Sequence, residues 1–242
     1  MPGQYRPLLL LTRPEPASLR FADQARAAFG PEVDLLIAPL MQTVFYRPAL
    51  PEWQPEGMIF TSETGVAGFA ALESRRGAAI CVGPRTAEAA AEHGWQAEVV
   101  GGDAEGLVRD LTARRLAGRW LHARGREAAG NLAGRLNAAG MAVTEAVVYA
   151  QDPLPLSAEA AEMLERCPER VVIPVFSPRS GRLLVDALPA RAFPQLRLAV
   201  ISEATARAVA PLSASAVAIA PTPDLDGMLS AISRLPGFTT KA

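Results

Sequence analysis

Lysine is almost missing from this 242-residue chain: Lys241 is the only one, so nearly all of its 24 basic side chains are arginine, set against 25 acidic ones. Together with abundant alanine, this reads as coding bias toward GC-rich codons rather than a demand for guanidinium. The formal charge of −1 removes the global electrostatic basis for gripping a nucleic-acid backbone. Cysteine is equally sparse. Cys81 and Cys167 stand far apart, without a CxxC and without a neighbouring histidine, as reduced thiols do. With only His93 and His122, and no HExxH or Asp-rich loop, neither zinc nor calcium is expected. No apolar run is long enough to span a bilayer, Leu8–Leu11 being far too short, and Met1–Arg6 lacks the basic-then-apolar order of an export signal. The expectation is a cytoplasmic protein with no metal, no cofactor, no nucleic acid and no membrane among its partners.

What is present is a rhythm. Short apolar runs alternate with amphipathic stretches, and Gly, Pro, Ser or Thr stand at the joints, as in βαβ proteins. Strands are expected at 8–11, 33–37, 58–60, 79–82, 97–100, 120–122, 143–148, 171–175, 198–201 and 216–219. Most should be buried on both faces, as parallel strands are. Helices are expected at 16–29, 104–115, 127–139, 158–167, 180–188 and 204–211, several closed by glycine.

The chain also repeats itself. Met58-Ile-Phe-Thr-Ser has a counterpart in Ile173-Pro-Val-Phe-Ser; Thr86-Ala87 falls on Thr205-Ala206, and Asp103-Ala-Glu-Gly-Leu on Asp224-Leu-Asp-Gly-Met. Leu11-Thr-Arg-Pro resembles His122-Ala-Arg-Gly, with Arg13 opposite Arg124. The modules run A (8–38), B (58–115), A′ (119–150) and B′ (170–235). One A and one B supply five strands, the content of a flavodoxin-like sheet. Two pairings are open, A with B and A′ with B′, or A with B′ and B with A′. The proline-rich stretches Arg47–Pro55 and Gln151–Pro155 read as linkers, and a cleft between two such domains is the default ligand site.

Thr61-Ser62, Pro84-Arg85-Thr86, Ser177-Pro178-Arg179-Ser180 and Ser202-Glu203-Ala204-Thr205 each fall where a strand gives way to a helix. Taken singly they read as helix caps. Taken together they place helix N-termini at the carboxyl ends of parallel strands, where α/β proteins bind anions. Arg13 and Arg124 end equivalent strands, either as surface side chains or as carboxylate clamps. Tyr149 reads either as a hinge tyrosine or as a proton donor. Other motifs fail: Gly125–Gly130 has Walker spacing but continues Asn131-Leu132, no GxGxxG follows a strand, and Ser62 and Ser177 lack a GxSxG elbow. Neither histidine has an acid partner in sequence, so His122 reads as structural. Cys81 reads as core.

In order and spacing, Leu11-Thr12-Arg13-Pro14, Phe60-Thr61-Ser62 with Gly65-Val66, Val82-Gly83-Pro84-Arg85-Thr86-Ala87, Val147-Val148-Tyr149, Phe176-Ser177-Pro178 and Ala204-Thr205-Ala206 resemble the uroporphyrinogen-III synthases. The resemblance implies two flavodoxin-like α/β domains with parallel sheets flanked by helices and an active-site cleft between them. It also implies crossed pairing: residues 1–38 and 153–242 in one domain, 42–149 in the other, and linkers near 39–41 and 150–152. It further implies a monomeric enzyme that cyclises hydroxymethylbilane to uroporphyrinogen III, with loss of water and inversion of ring D through a spiro intermediate. Transient contact with the upstream hydroxymethylbilane synthase goes with that reading.

By the same resemblance Tyr149 is the acid; a phenol's ordinary pKa of about 10 keeps it protonated at neutral pH. Arg13, Thr61, Ser62, Thr86, Arg124, Ser177 and Thr205 are the substrate-binding positions. Ser202 stands where the family usually has glycine, and Ser62-Glu63-Thr64-Gly65 departs from its common turn. Glu63 and Glu203 would repel a polycarboxylate, so both are expected to point outward. A non-catalytic binder of small anions and an inactive family member are the rival readings.

Overall fold

The computed structural model describes residues 6–127, 130–188 and 195–238. Lys241 and residues 1–5 lie outside these, as do residues 128–129 of the Walker-spaced segment. The chain divides into two compact units, residues 1–42 with 152–242, and residues 43–151.

The first unit is built on strands β1 (Leu8–Leu11), β2 (Asp34–Ile37), β9 (Val171–Val175), β10 (Arg197–Val200) and β11 (Ala216–Ile219). They form one parallel sheet in the order β11-β10-β9-β1-β2. Counted within the unit this is 2-1-3-4-5, the doubly wound flavodoxin order. β1 explains itself: four leucines in a row suit a strand with no solvent face. Leu8 and Leu10 enter the core beneath α6 (Ala158–Arg166), α7 (Pro178–Ala187) and α8 (Glu203–Val209), while Leu9 and Leu11 enter the opposite core beneath α1 (Glu15–Phe29) and α9 (Leu225–Ser233). Each such leucine contributes roughly 1.5–3 kcal/mol relative to exposure.

The second unit carries β4 (Gly57–Phe60), β5 (Ala78–Cys81), β6 (Gln96–Val99), β7 (Arg119–Gly125) and β8 (Ala142–Pro153), with β3 (Met41–Phe45) at one edge. Their order is β3-β8-β7-β4-β5-β6. Helices α2 (Glu63–Ala70) and α3 (Pro84–Glu92) cover one face; α4 (Ala104–Arg114) and α5 (Leu132–Ala138) cover the other. β8, β7, β4, β5 and β6 stand in the places of β2, β1, β9, β10 and β11. The second sheet is therefore the first with its chain order circularly permuted: module A joins B′, and B joins A′.

Details of the repeat survive in the caps. Asp103 begins α4 by accepting the Gly106 N–H at 2.7 Å, and Asp224 begins α9 by accepting the Gly227 N–H at 2.8 Å. A Cβ on Gly106 would overlap the Gly101 carbonyl, and one on Gly227 the Thr222 carbonyl, so both turns need glycine.

Four expectations need correction. β3 has no counterpart among the expected strands. It runs antiparallel to β8, with Tyr46 N–H donating to Val148 O and Leu154 N–H to Leu40 O, both at 2.9 Å. Arg47–Pro55 is not a linker but part of the second unit; the chain leaves the first unit within β3 and returns within β8, whose strand absorbs residues 150–153. The helix expected from Glu127 starts at Leu132, where Asn131 caps it by accepting the Gly134 N–H. Finally, β2, β6 and β11 are not buried on both faces, because they lie at or beside sheet edges, whereas every residue of β1, β4 and β9 is buried. No helix among the described residues is long and apolar enough to cross a membrane.

Candidate active site

A doubly wound sheet opens a crevice at the carboxyl end of the two adjacent strands whose following helices go to opposite faces. In the first unit these are β1 and β9, followed by α1 and α7. In the second they are β7 and β4, followed by α5 and α2. The topology alone thus brings Arg13 and Ser177 to one switch point, and Arg124, Thr61 and Ser62 to the other.

At the first, Ser177 has extended backbone and caps α7, its Oγ accepting the Ser180 N–H at 3.0 Å and lying 2.9 Å from Ser180 Oγ. The Arg13 guanidinium lies over the Phe176 ring, 4.2 Å from its centroid. One strand further out, Ser202 caps α8, its Oγ accepting the Thr205 N–H at 3.3 Å and meeting Thr205 Oγ1 at 3.1 Å. Thr205 is fully buried, so it braces this turn from inside. The serine at 202 has a plain local role, since its side chain supplies the cap that Gly83 lacks in α3. Thr86, the counterpart of Thr205, is also buried.

The second switch point is richer. Ser62 caps α2 by accepting the Gly65 N–H at 3.0 Å, and the same Oγ lies 3.0 Å from the hydroxyl of Tyr149. Tyr149 reaches it from β8. The β7–β8 register shifts between Arg124 and Gly125, which sets Gly125 against Tyr149. A Cβ at Gly125 would lie 2.7 Å from Tyr149 Cζ and 3.0 Å from its hydroxyl oxygen, so the phenol fits only over a glycine. Arg124 binds Glu145 Oε2 at 2.8 Å, and its NH1 donates to the Gly125 carbonyl at 2.9 Å. Glu63 pairs with Arg85 at 3.3 Å, which offsets the carboxylate in the first turn of α2; Glu203 is exposed.

His122 corrects another expectation, that neither histidine has an acid partner. Glu145 lies directly across the β7–β8 register, its Oε1 3.6 Å from His122 Nδ1, while Nε2 is 3.3 Å from Thr61 Oγ1. Burial, together with the nearby Arg124 cation, outweighs the carboxylate and pushes the imidazole down to about 4, so it is neutral at pH 7. No short sequence motif joins residues 61, 122 and 145; aligning the two apolar runs that became β7 and β8 was the signal available. Cys81 is core, and burial pushes its thiol up to about 11. Among the described residues no group of three or more His, Cys, Asp or Glu side chains could hold a metal.

A family model described as uroporphyrinogen-III synthase HemD matches residues 26–230, most of the chain. The chain belongs to the uroporphyrinogen-III synthase family. Among solved structures, the uroporphyrinogen-III synthetase of Helicobacter pylori is similar with a TM-score of 0.65 and 14% identity, covering 94% of this chain and 98% of that one. A mutant uroporphyrinogen III synthase of Thermus thermophilus gives 0.54 and 17%, covering 94% and 98%. At these identities the two superpositions speak for a shared fold. No curated protein sequence matches the chain. As a uroporphyrinogen-III synthase family member the chain is a cyclising lyase of tetrapyrrole biosynthesis.

Proposed function

We propose that this chain cyclises hydroxymethylbilane to uroporphyrinogen III with inversion of ring D, and that Tyr149 is its acid. The observation that carries the assignment of the acid is the Ser62–Tyr149 hydrogen bond at the head of α2. Ser62 Oγ already accepts the Gly65 N–H, so its own proton is available to the phenol oxygen. The phenol proton is then free for the terminal hydroxymethyl group of the substrate. As the C–O bond breaks, water leaves and an azafulvene forms. The phenolate left behind is stabilised by the Ser62 hydroxyl and by the positive end of α2.

The azafulvene carbon attacks ring D at its substituted α-carbon, giving a spiro intermediate. That intermediate fragments and recloses the other way round, and the ring carbon finally loses a proton, which returns to the phenolate. The remaining task is to favour this attack over uninverted closure, which is a matter of positioning. The carboxylates of the substrate are held by Arg13, Arg124 and Ser177, and by main-chain N–H groups at the Ser62 turn and at the turns that Thr86 and Thr205 brace. Thr61 adds a hydroxyl at the carboxyl end of β4. Balanced net charge suits such a ligand, because recognition of this kind is local. The enzyme acts as a cytoplasmic monomer that takes its unstable substrate in transient contact with the synthase that makes it.

The test is an assay coupled to production of hydroxymethylbilane that separates isomer III from isomer I. Isomer III is expected as the dominant product. Isomer I alone in the presence of this protein would defeat the assignment and favour the anion-binder or inactive-member reading.

A further inference from the structure

The two switch points can be compared position by position, because strand register aligns them. Leu11 opposes Ile37 across β1–β2, as His122 opposes Glu145 across β7–β8. Phe176 precedes the capping Ser177 as Thr61 precedes the capping Ser62. The first unit therefore fills this corner with Leu, Ile and Phe, and the second fills it with His, Glu and Thr. Leu11, Ile37 and Phe176 belong to one apolar cluster, so the fold has a dry solution for these three places. The second unit instead buries an imidazole that is 2% exposed and whose Nδ1 has no hydrogen-bond partner. Burying polar groups in this way costs stability that an apolar corner would retain.

The arrangement fixes one proton. Glu145 Oε1 faces Nδ1 at 3.6 Å, while Arg124 holds the other carboxylate oxygen at 2.8 Å. A lone pair on Nδ1 would point at a negatively charged oxygen, so the neutral ring carries its hydrogen there. Nε2 is then an acceptor, and at 3.3 Å the hydroxyl of Thr61 must donate to it. That leaves the lone pairs of Thr61 Oγ1 for a donor arriving at the carboxyl end of β4. A free threonine hydroxyl is ambivalent and would donate to a carboxylate. Helix N-termini likewise offer only donors.

We infer that His122, held in its Nδ1–H form by Glu145, is a positioning residue that fixes Thr61 as a hydrogen-bond acceptor for a pyrrole N–H of the substrate. The inference rests on the function proposed above. It supplies a contact that reads a pyrrole nitrogen edge of the bilane rather than its carboxylates, and so favours one placement of the chain over its alternatives.

Two measurements test it. Only two histidines are present, and His93 is exposed. In a His93→Gln protein the nitrogen-15 spectrum therefore reports His122 alone. At neutral pH a protonated Nδ1 and an unprotonated Nε2 are expected; the reverse tautomer overturns the inference without reference to activity. In the coupled assay, Thr61→Val, and Thr61→Val combined with His122→Leu, should lower the ratio of isomer III to isomer I by about tenfold. The double variant should keep or raise Tm, since it approaches the apolar corner of the first unit. A wild-type isomer ratio in a Thr61→Val protein of normal Tm overturns the inference. If the wild type makes only isomer I, the functional reading falls, and this inference with it, whichever tautomer is found.

Discussion

At the first switch point an arginine lies on a phenylalanine and a capping serine hydrogen-bonds within its own turn. At the second an arginine is tied to a glutamate, and the equivalent serine reaches across to a tyrosine. The five parallel strands beneath are equivalent, and Ser62 and Ser177 cap matching helices, as Asp103 and Asp224 do. The difference lies in side chains that the scaffold does not need: a phenol seated over Gly125 and a buried histidine facing a glutamate in a corner that the other copy fills with hydrocarbon. One copy presents an arginine and a serine-capped helix start. The other adds groups that donate, accept and orient protons.

The largest effect should come from the phenol. Tyr149→Phe is expected to lower kcat for isomer III by about a hundredfold, within the range of general-acid contributions. Turnover like the wild type would move the acid role to another hydroxyl and erase the contrast between the units. Next comes the seat of that ring. Gly125→Ala places a methyl 2.7 Å from Tyr149 Cζ, so the phenol must move away from Ser62; kcat should fall by about tenfold or more while the protein stays folded. Circular dichroism and Tm check the fold in both proteins.

Ser62→Ala and Ser177→Ala form a matched pair. Each removes a helix cap and should cost about 1 kcal/mol in urea unfolding. Only the first should also lower kcat, because only Ser62 meets the phenol. Equal kinetic losses in the two variants would show that the serines act alike.

Acid should separate the units as well. The folded pKa of His122, about 4, lies below the ordinary 6.5. Between these values the unfolded chain binds the additional proton, so stability conferred by the neutral form is present above pH 6.5 and is lost as pH falls toward 4. The loss approaches about 3 kcal/mol. His122→Leu should flatten that part of the curve, as measured by urea unfolding at several pH values, and Leu11 on the other unit contributes no such slope. An unchanged slope would mean that His122 already ionises in the folded protein.

The smallest contrast is an expected equality. Asp103→Ala and Asp224→Ala remove equivalent caps, and each should lower Tm by about 2–4 °C. A markedly larger change in one would mean that the two caps are not energetically equivalent.

Much of this scaffold was legible because its signals are local. Four leucines mark β1, and Asp103 opens the expected helix that became α4; α2, α3 and α9 were not among the expected helices, although Asp224-x-x-Gly repeats the Asp103 pattern ahead of α9. Ser62 and Ser177 could be read as caps from their position after an apolar run. β3 was not legible: Met41-Gln-Thr-Val-Phe45 is a short edge strand without a continuous apolar run, and its partner lies about a hundred residues away in β8. The start of α5 was misplaced because Glu127 suits a first turn, while the cap that acts is Asn131. At the site, Arg13, Ser62, Ser177 and Tyr149 stood out as residue types at strand ends. The His122–Glu145 pair did not, because only the register of two parallel strands brings it together.

The permuted order of the second sheet has a consequence in time. The strands of that sheet's parallel core, β4 to β8, follow one another along the chain, so it can close once residues up to 153 are available. The first sheet cannot: Leu8 pairs with Val171, and β10 and β11 come later still. The apolar strand β1 pairs on one side with nearby β2, yet its other side waits for β9, far along the chain, and loop closures of that span are the slow ones. β9 to α9 therefore complete the unit that β1 and β2 began.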